Sequence, residues 1–219
     1  MVLFCNTVIL QKTLIMKLKL LIVGLLLSGL VHANESKKMN QKDRKIATLG
    51  SGCFWCTEAI FQELKGVDKV ESGYMGGQIQ DPTYKDICTG ETGHAEVCQI
   101  TFDPEIISFT ELLEVFWQVH NPTTLNRQGA DVGTQYRSVI FYHNNEQKEI
   151  ATNLLNQLDK SEAYSDPIVT EISEAEKFYK AENYHQDYFN LNKNQPYCSF
   201  VIKPKQDKFK KVFKDKLKK

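Results

Sequence analysis

At 219 residues, 42% hydrophobic and 25% charged, the chain has the makeup of a globular domain, which excludes a fibrous or disordered protein. Its formal net charge is zero, so nothing global points to nucleic acid as a partner. The charge is uneven, because residues 203–219 hold nine lysines against two aspartates, a local +7.

In chain order, Lys17 and Lys19 precede an apolar run from Leu20 to Leu30, and Val31-His32-Ala33 puts small residues at a cleavage position. This is the pattern of a secretory signal over residues 1–33, with Met16 as an alternative start. The run is shorter than the roughly 20 residues a membrane span requires, and no cysteine follows the cleavage site to carry a lipid. Stable membrane insertion after cleavage is therefore not expected. Residues 34–44 read as a polar, flexible leader and residues 45–219 as one domain. The mature protein is expected to be exported, to the periplasm if the source is bacterial. Export bears on the cysteines: without Cys5 there remain Cys53, Cys56, Cys88, Cys98 and Cys198. An odd number cannot all be paired stably, which favours cycling thiols over a disulfide framework.

Lys45 to Leu49 reads as a short buried strand and Ala59 to Leu64 as a helix, with Gly50-Ser51-Gly52-Cys53-Phe54-Trp55-Cys56 at the turn between them. Val67 to Met75 is a second strand, ended by Gly76-Gly77. Gln78 to Gly93 is a long polar loop with a helical turn near Asp86-Ile87-Cys88. Ala95 to Phe102 alternates cleanly as a strand. Ser108 caps a helix from Phe109 to His120, a second long loop follows to Gln135, and Tyr136 to Tyr142 is a strand. Glu146 to Leu158 is a helix, Ile168 to Ile172 a strand, and short helices are expected around Tyr184 to Phe189. Pro204 opens a terminal helix whose Phe209, Val212, Phe213 and Leu217 form one stripe under solvated lysines. The order predicts an α+β fold, a mainly antiparallel sheet with packed helices. Its core is expected to be of the split-βαβ, ferredoxin-like kind with a C-terminal extension.

Cys53 at a helix N-terminus faces unpaired N–H groups and the positive helix end, both of which favour thiolate. Phe54 and Trp55 beside it are costly to expose and suit the wall of an apolar pocket. Three further stretches hold residue types that chemistry would need: Glu96 at the start of a strand, Asp131 and Tyr136 at the end of the second loop, and Tyr84 in the first. If these loops converge on the Cys53 turn, the site has a nucleophile, a proton donor, two phenols and an apolar wall.

The turn Gly52-Cys53-Phe54-Trp55 followed by Glu58 resembles the signature of the A-type peptide methionine-sulfoxide reductases. The likeness extends through residues 90–96, 129–138, 181–186 and 195–198, and covers roughly Lys45 to Lys211. It implies that Cys53 attacks the sulfoxide sulfur and is left as a sulfenic acid. It implies too that Phe54 and Trp55 hold the substrate methyl group, and that a protonated Glu96 feeds the departing oxygen. Tyr84 and Tyr136 would hydrogen-bond that oxygen, with Asp131 in the polar surroundings. The substrate implied is the S-epimer of methionine sulfoxide, free or in oxidised proteins, with no cofactor and no metal. A second thiol would close a disulfide for a thioredoxin-like reductant to open. Cys198, in a polar and mobile C-terminal segment, is the favoured resolving position, with Cys56 as the alternative. Cys88 and Cys98 read as structural, and His185 is given no role. The protein is expected to work as a monomer.

Two other readings compete. Cys53-x-x-Cys56 after a strand also suits a thiol–disulfide exchanger, but that leaves Glu96 and Tyr136 idle. A zinc module would draw on Cys53, Cys56, Cys88, Cys98 or His94, at spacings too wide for a usual knuckle.

Overall fold

A computed structural model describes residues 43–218. Within them the chain runs β1 (Lys45–Ser51), α1 (Phe54–Phe61), β2 (Val67–Met75), α2 (Tyr84–Ile87), β3 (Ala95–Phe102) and α3 (Phe109–Val119). It continues through β4 (Arg127–Gln128), β5 (Asp131–Val132), β6 (Ser138–Tyr142), α4 (Asn145–Lys160) and β7 (Glu171–Glu174). The last elements are β8 (Tyr179–Lys180), α5 (Tyr188–Leu191) and α6 (Lys203–Val212). The expected signal over residues 1–33 and nearly all of the leader 34–44 lie outside the described residues. Arg44, expected at the flexible end of that leader, is clamped between Asp68 and Asp103.

Six strands form one sheet in the order β7-β6-β1-β3-β2-β8, and β4 pairs only with β5. Every pairing in the large sheet is antiparallel except β6 with β7. Strand side chains alternate between faces, so each strand serves two layers. One face carries Ala47, Leu49, Cys98, Ile100 and Phe102 into the main core with the helices. The other carries Ala95, Val97, Val139 and Phe141, covered by Ala175 and Phe178. Glu96 has the parity of Cys98 and Ile100, and is thereby set on the helix-bearing face.

Where the elements differ from expectation, packing supplies the reason. The first helix starts at Phe54, not Ala59, and seven of its eight residues are buried. It is closed in on its outer side by α6, whose Gln206 side-chain amide donates to the Ala59 carbonyl and to Glu63 at 3.1 Å each. Tyr136 is not in a strand: Thr134–Tyr136 is a short 3₁₀ turn held by the Tyr136 N–H to the Gly133 carbonyl at 3.0 Å, and β6 begins at Ser138. The late strand lies at Glu171–Glu174 because its parallel register is set by β6, Val139 facing Glu171. The terminal stripe is broken, since α6 ends at Val212, which is exposed, and Leu217 instead bridges to Leu64. Most described lysines of that segment fit a solvated face, with Lys203, Lys210 and Lys216 paired to Asp207, Glu63 and Glu111.

Candidate active site

The turn into α1 depends on Gly52. Its φ of +89° is open to glycine at little cost, and a Cβ there would lie 2.6 Å from Cβ and Cγ of Gln128. Gly52→Ala is therefore expected to destabilise the fold by about 1–3 kcal/mol, read as a lower urea midpoint at unchanged slope.

Cys53 follows as the helix N-cap, but its side chain takes no N–H from the first turn. Those donors go elsewhere: the Phe54 N–H reaches Glu96 Oε2 at 3.0 Å and the Cys56 N–H reaches the Cys53 carbonyl at 3.1 Å. Cys53 is only 7% exposed. Burial pushes it well above the usual range, and its hydrogen bond with Cys56 and the charge of Glu96 act in the same direction. The expectation that the helix end holds Cys53 as a thiolate is thus overturned. A helix terminus contributes about 0.3–1 kcal/mol, whereas full burial can move a pKa by about 3–5 units. Of the two thiols it is Cys56 whose pKa is lowered. Hydrogen bonding with Cys53 brings its pKa down to about 7 against its burial, helped by Lys205 and Tyr197.

Glu96 is 1% exposed and faces this turn from β3. Burial raises its carboxyl to about 8, the Phe54 N–H opposes the rise, and the charge of Asp131 adds to it. Most Glu96 side chains are protonated at neutral pH as a result. Tyr84, at the start of α2, and Tyr136 stand within the electrostatic reach of Glu96. Burial first and that carboxylate second hold both phenols protonated. Tyr136 also feels Cys53 and Asp131. Asp131 sits further back, accepting the Tyr197 hydroxyl at 2.7 Å. Cys53 and the four residues expected around it thus come from the β1–α1 turn, α2, β3, β5 and the turn before β6.

The apolar wall is divided between its two members. Phe54 is fully buried, with ring centroids 5.9 Å from Tyr74 and 5.1 Å from His185, and forms the floor. Trp55 is half-buried and presents the surface. Its indole N–H donates to His185 Nδ1 at 3.2 Å, and Tyr188 stacks on its ring at 3.7 Å and 8°. Since Nδ1 accepts, the His185 proton belongs on Nε2, 3.9 Å from Glu182. Glu182 in turn receives the Tyr84 N–H at 2.8 Å and the Tyr74 hydroxyl at 3.0 Å. Glu58 anchors the Tyr188 side, taking the N–H groups of Asp187 and Tyr188 at 2.9 and 3.3 Å. Burial raises Glu58 to about 7 despite those bonds.

The remaining thiols divide clearly. Cys98 donates to the Phe54 carbonyl at 3.4 Å inside the core, a structural place. Cys88 is exposed at the end of α2. Cys198, expected in a mobile segment, is 0% exposed and opens a π-helical turn, Cys198–Ile202, that runs into α6. Among the described residues no three His, Cys, Asp or Glu side chains converge as a metal site would require. Sequence reasoning missed His185, Tyr188, Tyr197 and Lys205. Tyr197 lay within a motif read only for its cysteine, and Lys205 was counted among the solvated lysines.

A family model described as "Peptide methionine sulfoxide reductase" matches residues 45–217. A curated relative of that name from Saccharolobus solfataricus is 55% identical over 174 residues, covering 80% of this chain and 97% of the relative. One from Rhodopirellula baltica is 56% identical, covering 80% and 90%. Among solved structures, the reduced form of Mxr1 from Saccharomyces cerevisiae superposes with a TM-score of 0.68 at 32% identity, covering 75% of this chain and 94% of that one. Methionine sulfoxide reductase A of Corynebacterium diphtheriae gives 0.65 at 34%, covering 68% and 76%. The chain belongs to the peptide methionine sulfoxide reductase family.

Proposed function

We propose that the protein reduces the S-epimer of methionine sulfoxide, free or within oxidised proteins, with Cys53 as nucleophile and Glu96 as proton donor. The observation that carries this is a buried carboxyl, with a pKa near 8, on the sheet face that meets the thiol's own turn. A sulfoxide oxygen is a poor leaving group until protonated, and a neutral acid in a dry site can supply that proton. The Cys53 sulfur bonds to the sulfoxide sulfur as Glu96 gives its proton to the oxygen, and the Cys53 thiol proton replaces it on the carboxylate. Oxygen passes to Cys53 as a sulfenic acid and methionine leaves, so atoms and charge balance. Tyr84 and Tyr136, both protonated, donate to the oxygen, while Asp131 serves the polar rim through Tyr197. Trp55 lies against the methyl group over the floor made by Phe54.

A second thiol then displaces water from the sulfenic acid, and a thioredoxin-like dithiol reopens the disulfide. The basic and apolar pattern of residues 1–33 supports export. The central order β6-β1-β3-β2, linked by α1 and α3, supports a split-βαβ reading of the core. To test the activity, each purified epimer is incubated with the protein and dithiothreitol. Methionine is expected from the S-epimer alone. Equal yields from both epimers, or none from either, would refute the assignment.

A further inference from the structure

We propose that Cys56 resolves the Cys53 sulfenic acid and that Lys205, reaching over from α6, is the positioning residue that readies Cys56 for attack. This rests on the function proposed above. Three observations carry it. Cys56 lies one helical turn from Cys53 on α1, and the two thiols are within hydrogen-bonding reach of each other. Lys205 Nζ stands 3.9 Å from Cys56 Sγ, and among the described residues it makes no ion pair with a carboxylate, unlike Lys203 and Lys210. The Tyr197 hydroxyl is also 3.9 Å from Cys56 Sγ and donates to half-buried Asp131 at 2.7 Å, a hydrogen-bonded way out for the thiol proton.

The opposing groups are Glu96, Asp131 and burial itself, and buried Cys98 and Cys198 lie within the field of Cys56. Glu96 is mostly neutral near pH 7, and among the described residues Lys205 is the cation that acts on Cys56 against Asp131. The hydrogen bond with Cys53 is the largest influence bringing the Cys56 pKa to about 7, and Lys205 and Tyr197 add to it. Cys198 has no such support. It is wholly buried, and the Ser199 N–H holds its turn closed against the Gln195 carbonyl at 3.0 Å. In the step, the Cys56 thiolate bonds to the Cys53 sulfur and the S–O bond breaks. The departing hydroxide recovers the proton that Cys56 lost, so one water leaves per disulfide.

The full chain, reduced and freed of dithiothreitol, is mixed with one equivalent of the S-sulfoxide. It is then quenched with an alkylating agent at intervals and mapped by mass spectrometry, with methionine measured in the same samples. The wild type and Cys198→Ser are expected to join Cys53 to Cys56, and Cys56→Ser to release one methionine and stall with a dimedone-reactive sulfur. In Lys205→Met, disulfide closure relative to methionine release should slow about 5-fold at pH 7. Its pH midpoint should rise by about one unit, and Lys205→Arg should restore both. A wild-type bond from Cys53 to Cys198, or an unmoved profile in Lys205→Met, would overturn the inference. A wild type that releases no methionine at all would instead refute the function it rests on.

Discussion

Cys53→Ser is expected to fold normally and to release no methionine, a loss on the order of 10⁴-fold or more in kcat/KM. A hydroxyl cannot be oxidised by taking over the sulfoxide oxygen, so no geometry at this position rescues the reaction. The site exposes the difference sharply. The Cys53 side chain receives none of the first-turn N–H groups, and its reactivity therefore comes from sulfur chemistry and from the neighbouring acid. The structural cost is small, because serine is nearly isosteric and the turn is set by Gly52 and by the Phe54 N–H. The change in stability should stay below about 2 kcal/mol. Intact mass after one equivalent of sulfoxide gives the check. An oxygen adduct should form in Cys56→Ser and be absent from Cys53→Ser, and its presence there would move the nucleophile elsewhere.

Glu96→Gln should lower kcat/KM by about 10²–10⁴-fold while making the fold more stable. Glutamine can still accept the Phe54 N–H, so the turn survives, but it has no proton to give. The stability effect follows from the raised pKa. The folded carboxyl titrates near 8 and the unfolded one near 4.5. The native state therefore holds the extra proton between those values. Its stabilising contribution is complete below about pH 4.5 and is lost progressively as pH rises through 8. Near pH 7 the buried acid costs on the order of 3 kcal/mol, which the neutral amide escapes. Thermal melts at pH 5 and pH 8 should bring variant and wild type together at the acid end and separate them at the alkaline end. The wild-type rate should fall above about pH 8 as the proton is lost, a limb missing from the variant's residual activity. A variant less stable than wild type at pH 8 would contradict the placement of this carboxyl.

Several features were already legible along the chain. The Gly52 turn, the alternation of the strand that carries Glu96, and the Ser108 cap are short-range matters of backbone freedom and side-chain period. The family motifs likewise named Cys53, Glu96, Tyr84, Tyr136 and Asp131 before any contact was visible. What misled was an argument from one element alone. A helix end was expected to ionise Cys53, but that end is buried, with Lys205 of α6 reaching Cys56 and Glu96 of β3 capturing the first N–H.

The local sequence therefore determined which residues stand at the turn and which face of the sheet each strand residue takes. Tertiary packing decided where the charge goes. Lys205 meets Cys56 across 149 positions, Tyr188 covers Trp55 from α5, and Asp131 receives Tyr197 across 66. The physical reason is that burial and electrostatic fields depend on what comes close in space, and no period or propensity within a segment encodes how far away its partners will be.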